Sequence, residues 1–315
     1  MITAVRPLAL ACGNGSLPYN RSLGLGTLRL TLDMIKFEHS IFALPFALTG
    51  ALLAIHEVPP PGGAIWGKLA LIVLAMVGAR SAGMTFNRII DAGIDGRNPR
   101  TRERHIPAGL LSRTFAWVFL AASVAVFVLA AWLLNPLCLM LSPLALAIVL
   151  GYSVTKRFTS FSHLVLGFAL GIAPAAAWIA IRGSLDARIL WLTAAVAFWT
   201  AGFDIIYSCQ DVEFDRSENL FSMPRLLGVA GALWFSRLLH AAMVGCLLML
   251  WREFSLGWLG SAGIVSIAGL LLYEHSLVKP GDLSRVNAAF FTVNGYVSVL
   301  FFVFWAADVV LRRRW

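Results

Sequence analysis

An Asn and two Asp residues recur at four-residue intervals in the segment NRIIDAGID, at Asn87, Asp91 and Asp95. Residues four apart lie on one face of an α-helix, so these oxygen-bearing side chains would line one side of that helix. Taken alone, this first acidic segment (residues 87–95) is more typical of a solvated helix end than of a metal site. The sequence, however, contains a second segment of the same kind.

The second acidic segment (residues 204–215) reads DIIYSCQDVEFD and carries Asp residues at i, i+7 and i+11, which again predicts a single helical face. Carboxylates buried near a bilayer are costly unless cations compensate them. Magnesium prefers oxygen ligands and is usually held by one or two carboxylates together with substrate phosphates. The two segments together therefore predict a Mg²⁺ site that also holds phosphate. Its predicted ligands are Asn87, Asp91, Asp95, Asp204, Asp211 and Asp215.

Basic side chains that could bind phosphate lie near the acidic segments. They are Arg97, Arg100, Arg102 and Arg104 after the first segment, and Lys156 and Arg157 with Tyr152 in the segment YSVTKR. Guanidinium and ammonium groups are the usual protein partners of phosphate oxygens, although an isolated Lys-Arg pair is more often a topology signal. Arg80 lies within an apolar run, where a charge needs either a polar cavity or an interfacial position.

The elements that position these residues must be membrane helices. Of the 315 residues, 59% are hydrophobic and 13% are charged, whereas soluble domains carry about 25% charged residues. Apolar runs near the ~20 residues needed to cross a bilayer predict about nine transmembrane helices. The predicted spans are 38–56, 65–86, 114–134, 136–154, 163–181, 188–208, 226–250, 256–274 and 286–310.

The distribution of positive charge predicts the orientation of the chain. Most Arg and Lys residues lie in alternate connections, at 87–113, 155–162, 209–225 and 275–285. The positive-inside rule places these connections and both acidic segments in the cytoplasm, although the basic tail Arg312–Arg314 then falls outside. Topology thus explains most of the net charge of +9, so the lipid bilayer is a predicted partner and nucleic acid is not.

We predict one membrane domain over residues 27–315, preceded by a poorly ordered tail over residues 1–26. The four cysteines lack the spacing of a disulfide framework or a zinc site. The histidines, among them His105 and His163, also lack metal-ligand spacing, so we interpret them as packing or interfacial residues. The sequence indicates no obligate protein partner.

Several of these segments together resemble the UbiA superfamily of membrane prenyltransferases, specifically its 4-hydroxybenzoate polyprenyltransferase branch, over about residues 30 to 310. They are KFEHS at 36–40, Arg80, the two acidic segments, RHIPAG at 104–109 and YSVTKR at 152–157. The resemblance implies an all-α integral membrane bundle of about nine transmembrane helices around a central cavity. It also implies a multi-pass protein of the bacterial inner membrane whose active site faces the cytoplasm.

The activity that the resemblance implies is the Mg²⁺-dependent transfer of a polyprenyl group from polyprenyl diphosphate to an aromatic acid. The implied acceptor is 4-hydroxybenzoate, alkylated ortho to its hydroxyl in quinone biosynthesis. By position, the catalytic residues would be Asp91, Asp95, Asp204 and Asp211, with Asn87 and Asp215 as further metal ligands. The residues that would bind the diphosphate are Arg100, Arg104, Tyr152 and Lys156. Arg80 would contact the carboxylate of the aromatic acid.

Two alternatives remain open at this point. A naphthoate acceptor of menaquinone synthesis would use the same metal site, because acceptor choice depends on cavity shape. A membrane transporter would also bury acidic residues, but we would expect them near the midplane in broken helices rather than at helix ends. The CDP-alcohol phosphatidyltransferases, which also use Asp residues and magnesium, have a compact motif that this sequence lacks.

Overall fold

The computed structural model of the chain describes residues 25–36, 42–59 and 64–312. Within these ranges the regular elements are helical, apart from an isolated bridge between Lys279 and Asp282. Nearly all of the predicted tail at 1–26, the segment KFEHS beyond Lys36 and the end of the basic C-terminal tail lie outside the described residues. The predicted all-α fold is confirmed.

Eleven α-helices follow one another along the described chain. They are α1 (Leu25–Met34), α2 (Leu44–Glu57), α3 (Ala64–Arg97), α4 (Arg113–Leu134), α5 (Pro136–Thr155), α6 (Ser162–Arg182), α7 (Leu190–Ser208), α8 (Val212–Ser217), α9 (Met223–Glu253), α10 (Trp258–Leu277) and α11 (Asn294–Arg312). A 3₁₀ turn, Cys209–Asp211, joins α7 to α8, and a π-helical turn, Ala288–Val293, leads into α11.

Seven helical segments of the described chain are long and apolar enough to cross a membrane. They coincide with α3, α4, α5, α6, α7 extended through α8, α9 and α11 with its π-helical turn. The remaining predicted spans, 38–56 and 256–274, overlap α2, with 14 residues, and α10, with 20 residues. The chain is therefore a multi-pass membrane protein, and the total of nine spans stays a prediction.

The tight connection between α4 and α5 shows how the sequence forms a helical hairpin. Asn135 is the only residue between the two helices, and its Oδ1 accepts a hydrogen bond from the Cys138 N–H at 2.9 Å. Pro136 occupies the first turn of α5, where its missing N–H costs no hydrogen bond. The Asn135 Nδ2 donates to the Ile179 carbonyl at 2.9 Å, which ties the hairpin to α6.

Both acidic segments lie where helices end, but only the first one forms a continuous helix. Helix α3 continues through Arg97, so the first segment has the helical alignment that its spacing predicts. In the second segment, α7 ends at Ser208 and a 3₁₀ turn follows. The prediction of a single helical face at 204–215 is therefore wrong, because 3₁₀ geometry has about 3.0 rather than 3.6 residues per turn.

Small residues allow α6 to approach its neighbours closely. A Cβ atom added to Gly167 would lie 2.2 Å from the Ala197 carbonyl oxygen on α7, and one added to Gly50 on α2 would lie 2.5 Å from the Pro174 carbonyl oxygen on α6. Both neighbours are backbone atoms, which cannot rotate away as a flexible side chain would. Glycine at these positions therefore determines how closely α6 packs against α7 and α2.

Gly167→Ala is expected to destabilise the protein by about 1–3 kcal/mol, because the added methyl group forces α6 and α7 apart. The matched control is Gly269→Ala in α10, where an added Cβ atom meets nothing within 4 Å. That substitution should be neutral or stabilising by roughly 0.5–1 kcal/mol, the gain of Ala over Gly in a helix. Thermal unfolding of the detergent-purified variants measures both effects. Equal midpoints for the two variants would contradict the close approach of α6 and α7.

Candidate active site

A cavity of about 800 Å³ lies inside the helical bundle. Polar side chains in its wall come from the C-terminal parts of three helices and from the loop after α3, and they include Arg88, Arg104, Tyr152 and Asp204. Apolar residues of α3, α5 and α6 continue the wall as far as Leu134, at the opposite end of the bundle. The cavity therefore offers a charged end and a long apolar limb to one ligand.

Asp91 is the most buried carboxylate of the first acidic segment, with 1% of its side chain exposed. Lys156 at the end of α5 approaches its Oδ2 atom at 2.7 Å, and Arg157 approaches Oδ1 at 3.4 Å. The Asn87 Nδ2 donates to the same carboxylate at 3.0 Å, one helical turn away. The YSVTKR segment and the first acidic segment, which are distant in sequence, thus form one charged cluster.

Asp95 lies one turn further along α3 and pairs with Arg104. The Arg104 Nη1 donates to both carboxylate oxygens of Asp95 at 2.8 Å, and the Thr101 hydroxyl lies 3.1 Å from Oδ1. Because Arg104 also lines the cavity, this pair fixes a guanidinium group in the cavity wall.

Asp211 belongs to the second acidic segment and pairs with Arg100. The guanidinium donates two hydrogen bonds to this carboxylate, one of them from Nε to Oδ1 at 2.9 Å. The Arg100 Nη1 also donates to the Tyr207 hydroxyl oxygen at 3.1 Å, and Asn98 Nδ2 donates to Asp211 at 3.3 Å. The loop after α3 is therefore attached to the end of α7 by a charged, bidentate contact.

Asp204 is the carboxylate of the two acidic segments that lines the cavity itself. Its Oδ2 atom lies 2.7 Å from Nδ1 of His163, near the start of α6. The other ring nitrogen, Nε2, accepts a hydrogen bond from the Met223 N–H at 3.3 Å. This contact differs from the others because it involves an imidazole rather than a guanidinium or ammonium group.

Arg80 lies in the wall of the cavity, midway along α3. Its Nη2 donates to the Lys36 carbonyl oxygen at 3.2 Å, whereas its buried Nε has no hydrogen-bond partner among the described residues. A buried donor without a partner costs free energy unless a ligand or water accepts from it. Arg80 therefore places a guanidinium group with one unused donor in the cavity wall.

Aromatic rings form part of the cavity wall beside Asp204. They are Phe42, Phe203, Tyr207, Phe290 and Phe291. The centroids of Tyr207 and Phe290 are 4.2 Å apart, and those of Phe203 and Phe290 are 5.2 Å apart with nearly perpendicular rings. Both Phe290 and Phe291 belong to the π-helical turn, a feature frequent at functional sites. Such ring faces stabilise positive charge.

The predicted site residues fall into four groups. Those that line the cavity are Arg80, Arg100, Arg104, Tyr152 and Asp204. Asp95 and Asp211 contact Arg104 and Arg100 of that wall. Asn87, Asp91 and Lys156 contact one another outside the wall. Asp215, in α8, is half-buried and outside the cavity wall. Within the described ranges, no group of three or more His, Cys, Asp or Glu side chains is placed to hold a metal ion, and the metal-ligand assignment stays a prediction.

Sequence reasoning missed several polar residues of this site, and Arg88, His105 and His163 are three of them. Arg88 and His105 line the cavity, and His163 contacts Asp204. Arg88 could have been recognised from the sequence, because it is a charged residue directly after a predicted membrane span, on the same helix. The interpretation of His163 as a packing residue overlooked its carboxylate partner, which is 41 residues away in sequence.

Two cavity residues in the loop after α3 have shifted pKa values. Burial lowers the pKa of Arg100, but its hydrogen bond to Asp211 and the charge of that carboxylate outweigh burial, so the pKa is raised overall. Burial also lowers the pKa of His105, and the positive charges of Arg88 and Lys36 act in the same direction against the opposing charge of Asp33. At pH 7 the cavity therefore contains a charged Arg100 and a neutral His105.

Comparison with known proteins identifies the family. The profile of the UbiA prenyltransferase family matches residues 43–305. The 4-hydroxybenzoate octaprenyltransferase of Aliivibrio fischeri (strain MJ11) is 30% identical over 247 residues, which cover 78% of this chain and 85% of that protein. The apo structure of a UbiA homolog from Aeropyrum pernix K1 has a TM-score of 0.76 and 37% identity, covering 87% of this chain and 98% of that chain.

A more distant solved structure has the same fold. The UbiA homolog from Archaeoglobus fulgidus bound to GPP and Mg²⁺ has a TM-score of 0.69 at 19% identity, and the match covers 89% of this chain and 99% of that chain. The family match spans most of the sequence and includes both acidic segments. The chain therefore belongs to the UbiA prenyltransferase family and is a membrane-embedded prenyltransferase.

Proposed function

We propose that the protein transfers a polyprenyl group from polyprenyl diphosphate to an aromatic acid, with 4-hydroxybenzoate as the acceptor. The observation that carries this proposal is the cavity, in which Arg100, Arg104 and Asp204 stand at the end of a long apolar limb. A polyprenyl diphosphate has the matching shape, a polar head on an apolar chain. The name of the Aliivibrio fischeri relative supports the choice of acceptor.

The donor set fits Mg²⁺ as the cofactor. The predicted ligands are carboxylate or amide oxygens, the type that Mg²⁺ prefers, and Mg²⁺ needs only one or two carboxylates when phosphates supply the rest. The fold neighbour from Archaeoglobus fulgidus, bound to GPP and Mg²⁺, is in keeping with this choice. When bound, Mg²⁺ would neutralise the negative charge that develops on the departing diphosphate.

The residues that would hold the diphosphate are Arg100, Arg104, Tyr152 and Lys156. Arg100 already pairs with Asp211, Arg104 with Asp95 and Lys156 with Asp91. Each carboxylate thereby keeps a cation at a defined place beside the polar end of the cavity. A phosphate oxygen entering between them would meet donors that are already oriented, which lowers the cost of organising the site.

The cavity wall would protect the reactive intermediate of the transfer. The bond between the allylic carbon and oxygen breaks, and its electron pair leaves with the diphosphate. The apolar limb excludes water from the resulting allylic cation, and the faces of Phe203 and Phe290 stabilise its charge. The acceptor ring attacks through the carbon ortho to its hydroxyl, and loss of the proton from that carbon restores aromaticity.

Arg80 is the residue that we assign to the carboxylate of the aromatic acid. Its Nε has no hydrogen-bond partner among the described residues. A naphthoate acceptor also carries a carboxylate, so Arg80 fits either acceptor and a panel of acids must distinguish them.

Membership of a prenyltransferase family sets the transporter interpretation aside. We also infer, from the basic connections, that the protein lies in the bacterial inner membrane with its active site on the cytoplasmic side.

Purified protein in detergent is expected to release diphosphate from a polyprenyl diphosphate only when Mg²⁺ and a suitable aromatic acid are both present. Chelation with EDTA should reduce the rate to background, and added Mg²⁺ should restore it, because the leaving group needs charge neutralisation. Product mass distinguishes prenylated 4-hydroxybenzoate from a prenylated naphthoate. Failure to release diphosphate with any member of a panel of phenolic and naphthoic acids would contradict the proposed function.

A further inference from the structure

His163 connects Asp204 to the start of α9. Its side chain is 6% exposed, and the two ring nitrogens contact different elements. Nδ1 lies 2.7 Å from Oδ2 of Asp204 on α7, and Nε2 lies 3.3 Å from the backbone nitrogen of Met223 on α9. The imidazole therefore bridges three helices at the polar end of the cavity.

The contact with Met223 determines which ring nitrogen of His163 carries the proton. A backbone N–H can only donate a hydrogen bond, so Nε2 must accept through its lone pair. Nδ1 then carries the proton and donates to Asp204. The geometry thus leaves Nδ1 as the ring nitrogen that donates to Asp204.

The Met223 amide is available for this role because it belongs to the first turn of α9. Amides in the first turn of a helix have no partner within the helix. Ser222 caps the helix, and its Oγ accepts from the Arg225 N–H at 3.3 Å, which leaves the Met223 N–H for another acceptor. The start of α9 therefore holds the ring of His163 in one tautomer and one orientation.

The partner of Asp204 differs from those of the other carboxylates near the cavity. Asp91, Asp95 and Asp211 each pair with a Lys or Arg side chain, which cancels much of their negative charge. The contact of Asp204 is instead a single hydrogen bond from an imidazole nitrogen, which orients the carboxylate without a guanidinium or ammonium group beside it. The Asp204 side chain is also 25% exposed, more than the 1% of Asp91. It thus presents its negative charge to the cavity.

We propose that His163 is a positioning residue for Asp204. Its imidazole holds one carboxylate oxygen of Asp204, so that the other oxygen is directed to a ligand in the cavity. This inference rests on the proposed function, because it assigns His163 a part in holding the polar head of the prenyl donor. His163 acts only through Asp204 and takes no part in the chemical step. Such supporting contacts are worth about 10- to 100-fold in metal affinity or activity when they are lost.

Two substitutions separate the contacts of His163. In His163→Asn, the Nδ2 atom lies close to the position of Nδ1, so the hydrogen bond to Asp204 is retained and the contact with Met223 is lost. In His163→Gln, the longer side chain reaches the position of Nε2, so Oε1 can accept from Met223 and the contact with Asp204 is lost. A positioning role predicts that Asn rescues function and Gln does not.

We expect His163→Gln to lower kcat/KM for the prenyl diphosphate by about 10- to 100-fold, and His163→Asn to stay within about fivefold of the wild type. Thermal unfolding without ligands reports whether each variant is folded. The rise in Tm on adding Mg²⁺ with inorganic diphosphate provides a readout independent of turnover. That rise should be smaller for Gln than for Asn or the wild type.

A purely structural role predicts the opposite order, because Gln keeps the bridge to α9 and Asn does not. Equal loss of activity in two folded variants, or wild-type behaviour of His163→Gln, would overturn the inference. Should His163→Gln fail to fold, a folded but inactive His163→Asn would still overturn it, and an active one would support it. Failure of the proposed function is distinguishable, since the wild type itself would then transfer no prenyl group.

Discussion

Replacing Asp91 by Asn is expected to lower kcat/KM for prenyl transfer by roughly 10²- to 10³-fold, the usual cost of removing one preorganised electrostatic group from a site. Asn has nearly the shape of Asp but no charge, so the substitution removes a proposed metal ligand without opening a cavity. Asp211→Asn should have an effect of similar size. Diphosphate release by purified variants at saturating Mg²⁺ measures both losses.

The matched control for these variants is Glu213→Gln, which removes the same charge from the second acidic segment. Glu213 is 80% exposed and pairs only with Arg216 on its own helix among the described contacts. We expect its activity to stay within twofold of the wild type, since exposed pairs contribute about 0–1 kcal/mol. Wild-type activity in a folded Asp91→Asn protein would contradict the metal-site assignment.

Stability must be measured beside activity for Asp91→Asn. The substitution leaves Lys156 and Arg157 without the carboxylate that lies 2.7 and 3.4 Å away. Breaking a buried pair on one side is destabilising because the remaining charge is uncompensated. Lys156→Met combined with Asp91→Asn removes the closer pair, and Lys156→Met alone reports the activity lost with that diphosphate-binding cation. If the double variant regains thermal stability but is less active than Lys156→Met alone, the catalytic loss at Asp91 is separate from the structural one.

The first acidic segment could be predicted from the sequence because its geometry is local. Asn87, Asp91 and Asp95 lie on one continuous helix, and the four-residue spacing alone determines that they share a face. The pairing of Asp95 with Arg104 is also nearly local, since only the loop after α3 separates them. Such features follow from helix geometry and short connections.

The break in the second acidic segment could not be predicted from spacing. Side chains around the end of α7 bind backbone carbonyl oxygens of the preceding turn, as Ser208 does with Ile205 and Gln210 with Tyr207. These local bonds compete with regular helical hydrogen bonds, and the 3₁₀ turn follows. Apolar periodicity carries no information about this competition, so the displacement of Asp215 from the cavity remained hidden.

Contacts between distant helices were inaccessible to sequence reasoning for another reason. The pairs Lys156 with Asp91 and Asp204 with His163 depend on which helices pack together and at what rotation. That rotation depends on close approaches such as the one at Gly167. The family resemblance supplied the roles of Lys156 and Asp91, but it offered nothing for His163, whose role depends on the start of α9.

Replacing Arg80 by Met is expected to raise the KM of the aromatic acid with little change in the KM of the prenyl diphosphate. Met keeps much of the apolar volume of the side chain and removes its charge. Hydrogen bonds to charged groups contribute about 1.5–3 kcal/mol, which corresponds to a rise of about 10- to 150-fold. Initial rates measured with each substrate varied in turn separate the two KM values.

Two controls make the result specific to the carboxylate. Lys68→Met removes another positive charge from α3, but Lys68 donates to the Ile181 carbonyl at 2.9 Å and does not line the cavity. It should leave the KM of the aromatic acid unchanged. The amide of the aromatic acid should be used equally poorly by the wild type and by Arg80→Met, because neither can form the ion pair. An equal rise in both KM values would instead indicate that Arg80 maintains the shape of the cavity and does not bind the carboxylate.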